Sequence, residues 1–472
     1  MKNKFNLNVD FKELIIHSKN YLTAEFISLL IGFIALPFYT RLLSPEDFGI
    51  MSVFVSFVTL FSVILGLGIR GAIIRYYYEE NDDFFDFFNT NVTLSFFVCV
   101  ILVILLFFFR VSVQGFFDIP MKLIYFGVII SFFTVFIQLY QAYLQASKQS
   151  KFLSLQKVIQ VFIGVSFSVI IMFYLAEDKY FGRSYAMLAS VLTITVIIIY
   201  NIKNFFSFSL KKKYVVYSLS FGLPILLHLI SQNVLTTFDQ VMINNILGEK
   251  EAGLYSIAYR IGMIQNIVCT ATLAAWTPIF YNKLNLKKYM EINVLTKKYV
   301  LIMTLVSLIL ILFSKEILFI FADKSYHEAF SVIPFVVIGY FFFFLYSIYV
   351  AYSFYNKKTK FISISTIFVG ILNIILNYYL IPIYGYIGAA WSTLGSYLLL
   401  FLVHYINSKI KYKEYLTIEI SFFLIPLFII ISTYYLHGYL NTLNVTFKTN
   451  ILLKIIVLIS FSTFVFKKYA LK

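Results

Sequence analysis

The sequence predicts an all-α integral membrane protein of about fourteen transmembrane helices, and three observations carry that reading. Of its 472 residues, 61% are hydrophobic and only 13% charged, about half the charged share of a soluble domain. The apolar residues come in runs of about twenty, the length a helix needs to cross a roughly 30 Å hydrocarbon core. Lysine- and arginine-rich breaks recur at every second turn, as the positive-inside rule requires of cytoplasmic loops.

In chain order, the first six spans fall near 21–40, 48–69, 89–109, 122–146, 152–175 and 183–204. The next six fall near 216–238, 252–281, 299–321, 329–355, 361–380 and 385–408, and the last two near 415–436 and 449–466. The start, "MKNKFNLNVDFKELIIHSKNYL", is polar and basic, without the short apolar core and small-residue cleavage site of a signal peptide, so the first span is expected to be retained. With the N-terminus in the cytoplasm, most of the 38 basic residues fall on inner segments, among them "LKKKY", "NKLNLKK", "YNKKTK" and "KIKYK". Both termini are therefore expected in the cytoplasm. The net charge of +16 is then mostly topology, and no nucleic-acid partner is expected. Cys99 and Cys269 both lie inside predicted spans, which argues against a disulfide framework. The sequence has no CxxC, HExxH or His/Cys cluster, so no structural metal is expected.

A polar phrase written twice gives the domain plan. "LLSPEDFGIMS" (42–52) aligns with "ILGEKEAGLYS" (246–256), placing Gly49 on Gly253 and Ser52 on Ser256. At similar offsets "SKFLS" (150–154) matches "TKFIS" (359–363), and "YFGRSYAML" (180–188) resembles "IYGYIGAAW" (383–391). All three fall at equivalent places in two successive six-helix sets. Six is even, so the sets should be parallel repeats about a pseudo-two-fold axis along the membrane normal. The expected organisation is a cytoplasmic segment 1–20, a first lobe 21–204, a cytoplasmic linker 205–215 and a second lobe 216–408. Segment 409–472 then holds the last two helices and a cytoplasmic C-terminus.

Ionisable groups within a bilayer cost roughly 2.5–3.5 kcal/mol each on insertion scales, so they normally face a cavity or a partner. Glu25 shares a face with Ser28, Gly32 and Tyr39 of the first span, and His228, Gln232, Thr236 and Asp239 form a stripe on the seventh. Gln138, Gln141 and Gln145 line the fourth span, and Thr366, Gly370, Asn373 and Asn377 the eleventh. Interhelical hydrogen bonding alone would explain these amide stripes. Topology alone would place Arg70 and Arg75 at an inner helix end, a solvated rim would explain Asp239, and snorkelling would explain Glu25. Arg260 is harder to explain away, because it lies about two turns into the eighth span on the outer half, against the charge bias.

Three stretches resemble the polysaccharide-exporter flippases of the MOP (MATE-like) superfamily: "RLLSPEDFGIMSVF", "FDQVMINNILGEKEAGLYSIAYRI" (238–261) and "LNIILNYYLIPIYGYIGAAWSTLGSYL" (372–398). With the six-plus-six-plus-two plan, the resemblance covers nearly the whole chain. It implies two lobes around a cavity and no bound cofactor. The implied substrate is an undecaprenyl-pyrophosphate-linked oligosaccharide, moved from the cytoplasmic to the periplasmic leaflet of the bacterial inner membrane for O-antigen, capsule or a similar surface polysaccharide. Membrane lipids, a polysaccharide polymerase and a chain-length regulator are the implied partners. Asp239, Gly253, Tyr255, Tyr259 and Arg260 occupy matching motif positions. Arg260 is the implied pyrophosphate ligand, with Arg70 and Arg75 beside it as candidates. Tyr255, Tyr259 and the amide stripes are candidate cavity lining, and Glu25 and Asp239 are candidate acids for H⁺ or Na⁺ coupling. The related peptidoglycan-precursor flippases carry an arginine-rich first helix, whereas this one has Glu25 and only Arg41 at its far end. Two alternatives remain at this point. A MATE-like drug or cation exporter would call for an acid-lined outer half of the first lobe. A polysaccharide polymerase or ligase would need a sizeable outer loop, and the longest here is about a dozen residues around 437–448.

Overall fold

A computed structural model describes residues 7–79, 83–356, 358–413, 420–442 and 446–469. Among them every regular element is helical. Packing divides the chain into two compact units, Met1–Gly253 and Leu254–Lys472.

The first unit holds α1 (Leu7–Leu42), α2 (Pro45–Gly66), α3 (Ile69–Glu79), α4 (Phe84–Phe108), α5 (Arg110–Phe117), α6 (Met121–Ala146), α7 (Ser150–Tyr174), α8 (Phe181–Ile202) and α9 (Lys212–Leu247). It also takes in the start of α10 (Glu249–Gly262). The repeated phrase explains how α2 begins. Ser44 Oγ accepts the Asp47 N–H at 3.2 Å, Pro45 opens the helix, and Glu46 and Asp47 sit in its first turn. Each of these favours a helix N-terminus. The helix stops where Leu67 and Gly68 take left-handed φ values of 47° and 67°, and α3 leaves in a new direction.

Two glycine contacts fix where α2 meets its neighbours. A Cβ on Gly49 would stand 1.9 Å from Glu249 O, and one on Gly253 would stand 1.9 Å from Pro45 O. These are the aligned positions of the repeat, Pro45/Gly49 and Glu249/Gly253, meeting reciprocally backbone to backbone. At the other end of α2, a Cβ on Gly222 of α9 would stand 2.4 Å from Leu67 O. Only glycine allows approaches this close.

The second unit continues with α11 (Ile264–Asn285), α12 (Tyr289–Leu312), α13 (Ser314–Phe321), a 3₁₀ turn (Lys324–Val332), α14 (Ile333–Tyr355), α15 (Thr359–Tyr384), α16 (Tyr386–Lys411), α17 (Ser421–Thr442) and α18 (Phe447–Tyr469). Its core is α14, whose apolar window is 78% buried. The repeat shows in the packing as well: α6 and α7 both pack on α8 in the first unit, as α14 and α15 pack on α16 in the second.

Helices α17 and α18 pack on α12 around Leu301, Leu308 and Ile429, with Leu458 and Phe461 beside them. A buried ion pair ties α18 to α13 nearby. Lys454 Nζ, fully buried, donates to Glu316 Oε1 at 2.7 Å. Beside this pair, His437 bonds Leu312 O at 3.1 Å through Nδ1 and Ser314 Oγ at 3.2 Å through Nε2.

By length and composition, twelve helices among the described residues could cross a membrane, or thirteen if the bent pair Glu249–Leu273 and Trp276–Asn285 is one span. Among the described residues the expected count of fourteen is not confirmed. Segment 449–466 lies within the helix α18, which carries Lys454 inward. Two short helices, α3 and α5, follow predicted spans, and a third, α13, lies inside one. Segment 415–419 of the thirteenth predicted span lies outside the described residues.

Candidate functional site

In the first unit, α2, α6, α7 and α8 surround a half-open cavity of about 310 Å³. Its polar lining is Thr59 and Ser62 from α2, Thr134 and Gln138 from α6, Gln160 from α7, and Arg183 and Ser190 from α8. Arg183 Nη1 donates to the Gly164 carbonyl at 2.9 Å, and to the Tyr39 hydroxyl at 3.5 Å. Among the described residues, no carboxylate pairs with Arg183 and none lines this cavity. Arg183 was not singled out from the sequence. It stood in "YFGRSYAML", read only for the repeat, and as the first residue of a predicted span it lacked the depth that drew attention to Arg260.

The other predicted residues of this unit divide into two groups. Gln138 lines the cavity, while Gln141 is buried and Gln145 is exposed. Gln145 Oε1 accepts from Arg70 Nη2 at 3.2 Å, so two sequence candidates meet at the start of α3. Arg75 is neutralised locally: its Nε lies 2.5 Å from Glu79 Oε1, and its guanidinium sits 5.4 Å from the Phe221 ring centroid. Bonds from the Tyr217 hydroxyl and then from Arg75 hold the Glu79 carboxyl below its ordinary range. Asp83, just beyond α3, accepts from Tyr214 at 2.5 Å, Lys213 at 3.0 Å and Tyr76 at 2.8 Å. These partners, Tyr214 first, pull its carboxyl down to about 2. Glu25 is exposed, 3.9 Å from Lys157 Nζ. On α9, His228 is half-buried with no partner at Nδ1, Gln232 is exposed, and Asp239 is 1% exposed. The twin asparagines of the "MINNIL" motif are structural clamps: Asn244 donates to Phe117 O and Asp118 O, and Asn245 to Phe116 O, tying down the end of α5.

In the second unit, Arg260 is half-buried in the last turn of α10. Tyr255 and Tyr259 point into the packed interior. Tyr259 shares a hydrogen bond of 2.7 Å with the Tyr340 hydroxyl, and the rings of Tyr255 and Tyr397 flank the pair. Asn373 and Asn377 are fully buried between α15 and α16. Asn373 Nδ2 donates to Ser392 and Thr393 at 3.4 Å, Asn377 Nδ2 donates to Asn373 Oδ1 at 3.4 Å, and Ser392 donates to Asn377 Oδ1. This is the interhelical bonding that the amide stripe offered as its plainer reading.

The many apolar helices, the repeated packing and the enclosed polar groups define a multi-pass membrane protein. Residues 20–282, more than half of the chain, match the family model described as polysaccharide biosynthesis protein, and the chain belongs to that family. Residues 224–379 also match the MatE model. "Lsg locus putative protein 1" of Haemophilus influenzae is 25% identical over 59% of this chain and 67% of its own length. An uncharacterized membrane protein of the same organism is 24% identical over 86% of this chain and 99% of its own. Among solved structures, the lipid II flippase MurJ in an inward closed conformation superposes with a TM-score of 0.72 at 19% identity, covering 95% of this chain and 99% of that one. An inward-facing multidrug resistance MATE family transporter of the MOP superfamily gives 0.68 at 16% identity, over 84% and 98%. The fold is the one these two solved structures share.

Proposed function

We propose that this protein is a flippase for an undecaprenyl-pyrophosphate-linked oligosaccharide, carrying it from the cytoplasmic to the outer leaflet of a bacterial inner membrane. The match of residues 20–282 to the polysaccharide biosynthesis family, on a fold shared with a flippase and with drug exporters, carries the reading. The physical need is plain: a sugar pyrophosphate cannot cross hydrocarbon, because its charges and hydroxyls would lose water without replacement. A guanidinium suits a phosphate because it can bind through two parallel N–H groups. Arg260 is the proposed pyrophosphate ligand, and Arg70 is a second candidate. Arg75 is the weaker candidate, since Glu79 already holds it. The chain is then a transporter rather than an enzyme, and Glu25 and Asp239 remain the proposed coupling acids for H⁺ or Na⁺. A polymerase and a chain-length regulator would act on what it delivers.

The test is the fate of the lipid-linked repeat unit in cells. Arg260→Ala should stop export of the surface polysaccharide while the protein still inserts, and lipid-linked units should accumulate on the cytoplasmic leaflet. Arg260→Lys should keep part of the activity, because a point charge replaces a fork. Normal export by a well-expressed Arg260→Ala protein would remove this residue from the mechanism. The MatE match favours drug export as the second reading. Sensitivity to cationic dyes on deletion, with polysaccharide unchanged, would establish it instead.

A further inference from the structure

The lining of the first unit's cavity has a hydrogen-bonding pattern that discriminates among ligands. Three of its hydroxyls have already spent their hydrogens on their own helices: Thr59 donates to Val55 O at 2.8 Å, Thr134 to Ile130 O at 2.7 Å, and Ser190 to Met187 O at 2.8 Å. What they present to the cavity is lone pairs, so they accept but do not donate. Ser62 is different. Its hydroxyl is 2% exposed and has no partner, which a buried polar group rarely tolerates unless something else satisfies it. The carboxamides of Gln138 and Gln160 offer both a donor and an acceptor. Arg183 spends Nη1 on Gly164 and Tyr39, which leaves Nη2 and Nε for a ligand.

Each simple ligand fails against part of this set. A bare anion would satisfy the guanidinium but would meet the lone pairs of Thr59, Thr134 and Ser190 with lone pairs of its own. A neutral sugar would satisfy those hydroxyls but leave the arginine without a counter-charge in a region of low dielectric, which is costly. A ring bearing several hydroxyls and one negative group satisfies both. The cavity, about 310 Å³, is at the low end of the roughly 300–1,000 Å³ of small-molecule sites, which suits one ring rather than a chain.

We infer that this cavity binds an acidic sugar residue, its negative group on Arg183 and its hydroxyls donating to Thr59, Thr134 and Ser190. The inference rests on the flippase reading and deepens it: the oligosaccharide carried would contain an acidic sugar. The negative group would be a carboxylate or a phosphoryl group, and the sugar ring separates both from the phosphate of an ordinary lipid headgroup.

Calorimetry on the purified full-length protein tests it, with glucuronate, glucose and inorganic phosphate as probes. Glucuronate should bind at least about tenfold more tightly than either glucose or phosphate, as expected for one charge-assisted contact added to the hydroxyl contacts. Arg183→Gln should reduce glucuronate binding to the level of glucose. Thr134→Val keeps the side-chain shape but removes the acceptor, so it should weaken glucuronate and leave phosphate unchanged. If Arg183→Gln does not yield a folded protein, Gln160→Leu decides and should weaken glucuronate severalfold. Phosphate binding as tightly as glucuronate would overturn the sugar assignment, and so would indifference of glucuronate to both Thr134→Val and Gln160→Leu. None of these failures touches the flippase reading, which is judged separately by accumulation of lipid-linked units in cells lacking the protein.

Discussion

The two units use membrane-embedded polar side chains in opposite ways. In the first, Ser62, Gln138, Gln160 and Arg183 surround open space and keep bonding capacity in reserve. In the second, Asn373, Asn377, Ser392 and Thr393 close on one another, Tyr259 closes on Tyr340, and Lys454 closes on Glu316. The same residue types serve binding in one place and cohesion in the other. What separates them is whether a partner helix comes close enough to take the bond. Mutations in these bonded clusters of the second unit should therefore cost stability, and mutations around the cavity should cost affinity while stability holds.

The largest expected loss comes from the buried ion pair. Lys454→Ala leaves Glu316 buried and unpaired, which should cost about 3–5 kcal/mol and loosen α18 from α13. Thermal unfolding in detergent measures it, and pairing Lys454→Met with Glu316→Leu should recover most of the loss. Next comes the glycine crossing of the first unit. Gly253→Ala would set a methyl group 1.9 Å from Pro45 O, so backbones must separate, at an overpacking cost of about 1–3 kcal/mol. An alanine tolerated there without change in stability would mean that the crossing is not held closed. Smaller again is Asn377→Ala, which removes bonds worth about 0.6 kcal/mol each inside membranes and should lower stability without altering glucuronate binding. Thr134→Val should do the reverse.

The smallest effect is a pH dependence at the turn after α3. The Asp83 carboxyl lies near 2, below the usual value of about 3.9, so the folded state favours its charged form. The bonds to Tyr214, Lys213 and Tyr76 should be intact above about pH 4 and weaken as pH falls towards 2. Hydrogen exchange at the start of α9 should rise only in that window, and Asp83→Asn should abolish the pH dependence.

Most of the fold could be read from the sequence because hydropathy is a property of a run, and runs of about twenty residues announce themselves. Bends could not. The break at Leu67–Gly68 and the interruption between α10 and α11 depend on what packs alongside. The same division explains the site residues. Gln138 stood out because amides recur along its helix at a spacing that keeps one face. Tyr255 and Tyr259 carry the same polar label, but whether they line a cavity or fill a core depends on Tyr340 and Tyr397, about a hundred residues on. Lys454 was passed over inside a predicted span because its partner, Glu316, is 138 residues away and leaves no local pattern.

Reconstituted transport tests the central claim most directly. Proteoliposomes would carry lipid-linked oligosaccharide extracted from cells that make the polysaccharide, with leaflet exposure read by an impermeant sugar-modifying reagent. The wild-type protein should bring the inner pool to the reagent. Arg260→Ala, folded to the same extent, should leave it protected as in protein-free vesicles. Equal exposure with and without the wild-type protein would contradict the assignment of this chain as a lipid-linked oligosaccharide flippase.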